Sequence, residues 1–390
     1  MRILCLQQSS IFESYGGIEY YLHDFLTLAS DILGPSEVAT LVPQRAGTFS
    51  LTDTSYEVIP IPFTKQGLWK KLENRFSPAF LSTALQKGRD FKPDLILTGH
   101  ISLAPLGFAL SKILKVPYWT IAYGLEVWGS VGIPYEWALR TCDKIISISH
   151  WTKNILVARG FPHGKIEIVH PCLQPEFGKK PAKTYSSDTR EPLKLLTVSR
   201  LDPNERYKGH DHVLSAMNSI KEHRRDAIPH YTIQGYGADR SRLEKMVFYF
   251  GLQEHVTFLD KLSCREELEQ LYRDCDVFIM PSRFGCWEGR WRGEGFGIVY
   301  VEAGALGVPS IAYDCGGATD IIRSGINGLL VKQEQISLLG AKAREVSLSQ
   351  FSRETIKTQM EKVLGSSQSI SEIRPSSDSI DVSHIVDTVS

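Results

Sequence analysis

The residues best suited to chemistry lie in the second half of the chain. Glu294 and Glu302 stand eight positions apart in EGFGIVYVE, which runs on into AGALGVPSIAYDCGG. If a helix begins near Gly297, Glu294 falls in the loop before it and Glu302 in its second turn, so both carboxylates can face one ligand. Gly295 and Gly297 allow a close backbone approach. The amides of Gly297, Ile298 and Val299 would then point at an anion. The plainer alternative is a helix cap followed by one solvated Glu.

A second set of groups lies in SRLDPNERYKGHDHVL. Arg200 closes an apolar run, and Lys208-Gly209 opens a helical pattern. Two cations at the mouth of a parallel sheet suit a diphosphate, since Arg grips two oxygens and Lys adds a point charge. The plainer reading pairs them with Asp202 or Glu205 as surface charges, which contribute little. A third set, Gly16-Gly17, opens the first helix and could hold phosphate through backbone N–H groups. The loop before it, QQSSIFESYGG, has no GxGxxG fingerprint, which argues against a dinucleotide oxidoreductase.

These groups need a scaffold, and the hydrophobic pattern supplies one. Short apolar runs at 2–8, 37–43, 56–63, 94–100, 117–124, 144–149 and 166–171 alternate with helical patterns. In the first of these, Ile18, Tyr21, Leu22, Phe25 and Leu26 fall on one helix face. The polar stretch 176–192 reads as a linker. The pattern restarts with runs at 193–201, 230–237, 255–260, 276–282, 309–314 and 327–331. Continuous apolar strands separated by helices predict parallel sheets covered on both faces. The expected fold is α/β, with two Rossmann-like doubly wound domains, 1–175 and 193–364, facing each other across a cleft. Ligands bind at the carboxyl ends of such strands. The Ser-rich stretch 365–390 reads as a disordered tail.

The chain has 390 residues with 44 basic and 44 acidic side chains, so its formal charge is zero, which argues against global nucleic-acid binding but leaves room for local patches. Its seven cysteines are scattered without a CxxC pair, the usage expected of a reduced cytoplasmic protein. No apolar run reaches the length of a membrane span.

The ordered set GGIE, SRL with ERYKGHD, GYGADRSRLE, VFIMPS, EGFGIVYVEA, GVPSIAYDCGG and NGLLV resembles the retaining nucleotide-sugar glycosyltransferases of the GT-B fold, with their EX7E motif. The resemblance runs from about residue 15 to 331 and is more specific in the second half. It implies that Arg200 and Lys208 bind the donor diphosphate, Glu302 the nucleotide ribose and Glu294 the donor sugar. Gly17, beside Gly16, and the amides near Gly297 would complete the phosphate site. Gly235 and Gly237 would leave room for the nucleotide. It also implies metal-independent transfer to a hydroxyl of a glycan or lipid-linked acceptor, in cell-surface polysaccharide or glycolipid synthesis. Two fixed cations and a helix N-terminus can take over the task of a divalent ion.

The sequence departs from the family pattern at specific points. In TIAYGLEVWG, Tyr123 stands beside Gly124 where many members carry His. Tyr is a poor base at neutral pH, so its role reduces to orientation, and Glu126 and His100 become the nearby candidates for acceptor contacts or proton handling. The insertion FGCWEGRWRG precedes Glu294. Its Trp287, Trp291, Arg290 and Arg292 either shape the sugar or acceptor site or pack as an aromatic–Arg cap. Asp320 stands where the family often carries Glu.

Asp274-Cys275-Asp276 matches a DxD metal pattern, but it falls at a helix–strand junction and reads as a structural cap. His210 and His212 lack an evident third metal ligand. Positions 65–92 are basic, with Leu68, Trp69, Leu72, Phe76 and Phe80 interleaved. Peripheral contact with an anionic membrane is one reading. A core helix with its lysines outside is the favoured one. Two rivals to an active transferase are a phosphorylase-like enzyme of the same fold and a non-catalytic nucleotide-sugar-binding paralogue.

Overall fold

The computed structural model describes residues 1–7, 16–44, 54–62, 78–173, 183, 192–223, 228–260, 262 and 264–333. Leu68, Trp69, Leu72 and Phe76, the tail 365–390 and nearly all of 176–192 lie outside these residues. The chain divides into two compact units, the first running from Met1 to Cys172 and the second beginning at Leu173.

The first unit contains β1 (Ile3–Leu6), β2 (Val38–Gln44), β3 (Glu57–Pro62), β4 (Leu95–Thr98), β5 (Tyr118–Ala122), β6 (Lys144–Ser147) and β7 (Ile166–Ile168). They form one sheet in the order β3-β2-β1-β4-β5-β6-β7. Neighbours are parallel, with Ile3 opposite both Val38 and Leu95. The helices are α1 (Gly17–Leu33), α2 (Pro78–Phe91), α3 (Ala104–Leu114), α4 (Leu125–Trp128), α5 (Ile133–Thr141) and α6 (His150–Ala158). On α1, Tyr21, Leu22 and Leu26 are buried, and Ile18 and Phe25 are half-buried. On α2, Phe80 is buried and Lys87 pairs with Glu57 at 2.7 Å, so at these positions of the basic stretch the apolar side faces the core.

The second unit contains β8 (Lys194–Val198), β9 (His230–Gln234), β10 (Val256–Leu259), β11 (Val277–Ile279), β14 (Ser310–Tyr313) and β15 (Gly328–Val331) in one parallel sheet. Its order is β10-β9-β8-β11-β14-β15. Its helices are α7 (His210–His223), α8 (Arg240–Tyr249), α9 (Arg265–Asp274), α10 (Ile298–Ala305) and α11 (Ala318–Ile321). Alternation along the strands builds two cores. Leu195 packs with Val213, Leu214 and Leu243 on one face, and Leu196 packs with Tyr272, Phe278 and Tyr300 on the other.

The strand order reverses direction of growth between β1 and β4, and again between β8 and β11. Loops that leave these strands at their carboxyl ends diverge there, which opens the sheet edge to a ligand. Arg200 and His100 both follow such strands. Lys183, in the stretch read as linker, is docked on the second unit. Its amide donates to Leu306 O at 2.9 Å and its ammonium pairs with Asp276 at 3.0 Å.

One small element was absent from the strand pattern. β12 (Gly285–Trp287) and β13 (Arg290–Arg292) form an antiparallel hairpin inside the FGCWEGRWRG insertion. Glu288 (φ 52°) and Gly289 (φ 71°) form its two-residue turn, with both residues left-handed as such tight hairpins require. Among the described residues, no helix is long and apolar enough to cross a membrane. All seven cysteines are unpaired.

Candidate functional site

The loop after β8 carries Arg200, and the loop after β9 holds it. Ser199 N–H donates to Gln234 O at 3.0 Å, and Leu201 N–H to Tyr236 O at 2.9 Å. Gly235 and Gly237 have φ of 150° and 149°. A Cβ on Gly235 would sit 1.7 Å from Ser199 O, and one on Gly237 would sit 2.1 Å from Leu201 O. The room these glycines make is therefore filled by the chain's own backbone. The close approach holds the backbone on either side of Arg200.

Lys208 ends a short 3₁₀ segment, Pro203–Lys208, and Glu205 lies inside it. The backbone kinks at Glu205, where φ is −112° and ψ is 20°, and the ion pair itself shows that Glu205 and Lys208 face the same way. Lys208 Nζ lies 2.8 Å from Glu205 Oε2, and Arg200 Nη2 binds Glu205 Oε1. From the sequence alone Glu205 is only a surface partner of these cations. Here it brings both cations to one point, with the Lys208 and Glu205 side chains only 11% and 14% exposed. The segment is fastened from two sides. Arg206 bonds the buried Asp239 at 2.7 Å, and Arg283 N–H donates to Tyr207 O at 2.7 Å.

Glu294 joins the same group of charges. Its backbone carbonyl accepts the Gly317 N–H at 2.7 Å, and a Cβ on Gly316 would lie 2.8 Å from that carbonyl. Burial raises the Glu294 pKa, Lys208 lowers it, Glu205 raises it and Arg200 lowers it. Four charges therefore share one locale. Burial, then Glu294 and Glu205, raise the Tyr207 hydroxyl well above its usual range, while Arg200 and Arg292 oppose. The charge of the hairpin's Arg292 therefore acts on Tyr207 as well.

Gly297 caps α10 with φ 92°. A Cβ there would meet the Tyr300 ring at 2.6 Å, so only glycine turns the chain into this helix. Ile298 and Val299 follow in its first turn, and Glu302 comes in its second. Tyr272 on α9 donates its hydroxyl to Glu302 Oε2 at 2.9 Å. Burial raises the Glu302 pKa, whereas the Tyr272 hydrogen bond and the Arg265 charge lower it. Nothing in the sequence pattern distinguished Tyr272 from other core aromatics.

The other candidates resolve into packing. The Asp276 carboxylate is buried, accepting the Lys194 amide at 3.0 Å as well as meeting Lys183. Asp274 is exposed and accepts from Gln270 at 2.8 Å. The DxD carboxylates thus serve different places. His210 Nε2 lies 2.9 Å from Ser199 Oγ, and burial lowers its pKa to about 4, which leaves it neutral. His212 Nδ1 lies 2.7 Å from Tyr313 Oη. Trp291 stacks on Phe284 at 5.0 Å, and Arg283, which precedes the hairpin, covers Trp287 at 5.8 Å, so the cation over the aromatic ring is neither Arg290 nor Arg292. Asp320 sits in the first turn of α11.

In the first unit, Gly16 is the N-cap of α1 and Gly17 its first residue. Among the described residues, a Cβ on Gly17 would meet nothing within 4 Å. Tyr123 is buried and donates its hydroxyl to Gly99 O at 2.9 Å. It stacks on His100 at 6.1 Å and meets Tyr21 edge-on at 5.6 Å. Burial raises its pKa well above the usual tyrosine range, so its hydroxyl is no base. His100 Nδ1 accepts the Ser102 amide at 3.1 Å. Glu126 Oε1 accepts the Tyr123 amide at 2.5 Å, which fastens the turn into α4. Burial raises the Glu126 pKa, and hydrogen bonds from the Tyr123, Glu126 and Gly124 backbones lower it. These three side chains therefore support the β5–α4 turn.

Residues 183–363 match the glycosyl transferases group 1 family, and residues 15–177 match glycosyltransferase family 4. Both halves match glycosyltransferase families. The chain is 30% identical over 233 residues to the GDP-mannose-dependent alpha-(1-6)-phosphatidylinositol monomannoside mannosyltransferase of Mycobacterium tuberculosis. That match covers 56% of the chain and spans 58% of the relative's length. The fold is that of the GT-B glycosyltransferases. Sucrose-phosphate synthase from Thermosynechococcus elongatus matches with a TM-score of 0.70 and 20% identity over 94% of each chain. Anabaena HepE in complex with UDP matches with a TM-score of 0.65 and 18% identity, over 94% of this chain and 100% of that one.

Proposed function

We propose that this transferase moves a sugar, with retention of anomeric configuration, from a nucleoside diphosphate sugar to a hydroxyl of a glycan or lipid-linked acceptor. The observation that carries the reading is the meeting of Arg200 and Lys208 on Glu205, in the electrostatic reach of Glu294. Two cations held together by one displaceable carboxylate suit a diphosphate. One relative is GDP-mannose-dependent, and one similar structure holds UDP.

In this reading the bond from the anomeric carbon to the diphosphate oxygen breaks while Arg200 and Lys208 neutralise the departing charge. The acceptor oxygen bonds to the same face of that carbon, and its proton passes to the leaving phosphate. Glu294 orients the sugar hydroxyls and Glu302 the ribose. The amides of Gly297, Ile298 and Val299 complete the phosphate contacts, and transfer needs no metal. Tyr123, His100 and Glu126 shape the acceptor side through the turn they brace. The setting is cell-surface polysaccharide or glycolipid synthesis on the cytoplasmic side of a membrane.

Thermal-shift screening with UDP-, GDP- and ADP-sugars identifies the donor, because a ligand of the native state raises its apparent stability. Proton NMR of the product then reads the anomeric configuration. Inversion would overturn the retaining step. Donor binding without transfer or hydrolysis would favour a non-catalytic paralogue, and pyridoxal absorbance in the purified protein a phosphorylase-like one. Glu294→Ala and Lys208→Ala should each lower turnover by at least about tenfold.

A further inference from the structure

Tyr272 lies in the core of the second unit, fully buried and tilted against Phe278 at 5.7 Å. A buried phenol needs a hydrogen-bond partner. Its acceptors come from α10: Glu302 Oε2 at 2.9 Å and, more loosely, Val299 O at 3.4 Å. The Glu302 carboxylate stands in the second turn of a helix of eight residues and is half-buried. A half-buried glutamate has several rotamers open to it, and only some present an oxygen to a ligand at the helix start. The phenol selects among them.

We infer that Tyr272 is a positioning residue, holding one oxygen of Glu302 so that the other is presented to the hydroxyls of a ribose. The inference rests on the assignment of Glu302 to the nucleotide ribose. Its physical basis is that an ionised carboxylate has about four acceptor positions. One is taken by the phenol at short range, which fixes the plane of the group. The fixed plane then leaves the second oxygen at a defined place, and a pair of vicinal hydroxyls can bond to it without a further loss of side-chain entropy. Burial raises the Glu302 pKa, and the two groups that oppose it in favour of the ionised form, Tyr272 and Arg265, both come from α9.

The test is calorimetric titration of the full chain with UDP and GDP, each compared with its 2′-deoxy analogue. The wild-type protein should prefer the tighter-binding ribonucleotide over its deoxy form by about tenfold, and Tyr272→Phe should reduce that preference to within about twofold. Its affinity for the deoxy form should stay unchanged. Phe278→Leu, which disturbs the same packing and leaves the phenol in place, should keep the preference. Loss of discrimination in Phe278→Leu as well would assign the effect to packing and overturn the inference.

Glu302→Ala separates the two levels of the argument. If it abolishes the ribose preference and Tyr272→Phe does not, the role given to Tyr272 fails and the ribose assignment stands. If Glu302→Ala keeps the preference, the ribose assignment fails first. A second readout is the pH dependence of affinity. Removal of the phenol leaves the Glu302 charge less supported, so the acidic loss of ribonucleotide binding should move to higher pH in Tyr272→Phe. An unmoved profile would overturn the inference.

Discussion

The Glu205 carboxylate lies 2.8 Å from the Lys208 ammonium, three residues along one short turn, and its other oxygen holds Arg200. In the proposed function, an acid thus occupies the position in which a diphosphate would meet both cations. A bound diphosphate must displace it, or share the cations with it against like-charge repulsion.

Glu205→Gln should therefore bind UDP or GDP more tightly than the wild type, by roughly fivefold, because a neutral amide competes less well for Arg200 and Lys208. Calorimetry measures this directly. Weaker binding would mean that Glu205 chiefly orients the two cations.

Glu126→Gln should melt at a higher temperature at neutral pH, by roughly 2–5 °C. Burial raises the Glu126 pKa, and only backbone hydrogen bonds oppose it. The ionised form is the costly one. Its cost is absent below the ordinary carboxylate range and grows as pH rises through the raised value. The advantage of the glutamine variant should accordingly vanish on acidification. A constant gap between the two melting curves would refute the argument.

Gly235→Ala and Gly17→Ala should behave in opposite ways. The first places a methyl group 1.7 Å from Ser199 O at φ 150°, and should cost at least about 3 kcal/mol in denaturant titrations. The second meets nothing within 4 Å among the described residues at the start of α1, and should change stability by less than about 0.5 kcal/mol. If the space at Gly17 admits a phosphate, the same substitution should still weaken donor binding severalfold.

Asp276→Asn should destabilise the protein by about 3 kcal/mol, since it leaves the Lys183 ammonium buried opposite a neutral group. Asp274→Asn should be silent to within about 0.5 kcal/mol. Transfer should persist in excess EDTA. A loss of activity restored by Mn²⁺ or Mg²⁺ would return the DxD pair to consideration.

Much of this was legible in the residues in order. The apolar runs placed all thirteen parallel strands of the two sheets, because a buried parallel strand is apolar on both faces and stands out from the helices around it. The spacing of Glu294 and Glu302 placed one before α10 and the other in its second turn, since the helical repeat converts sequence spacing into angle. The small β12–β13 hairpin escaped that reading. Three-residue strands are too short to show a period, and only the left-handed turn at Glu288 and Gly289 marks them.

Partners across the fold were decided by the tertiary structure alone. That Glu205 gathers Arg200 and Lys208, that Tyr272 reaches Glu302 across 30 positions, and that Gly235 yields to the Ser199 carbonyl all depend on which loops and helices the sheet brings side by side. A sequence fixes local geometry through short-range sterics and periodic burial. The pairing of distant polar groups follows from strand order and helix packing, which no single stretch of residues encodes.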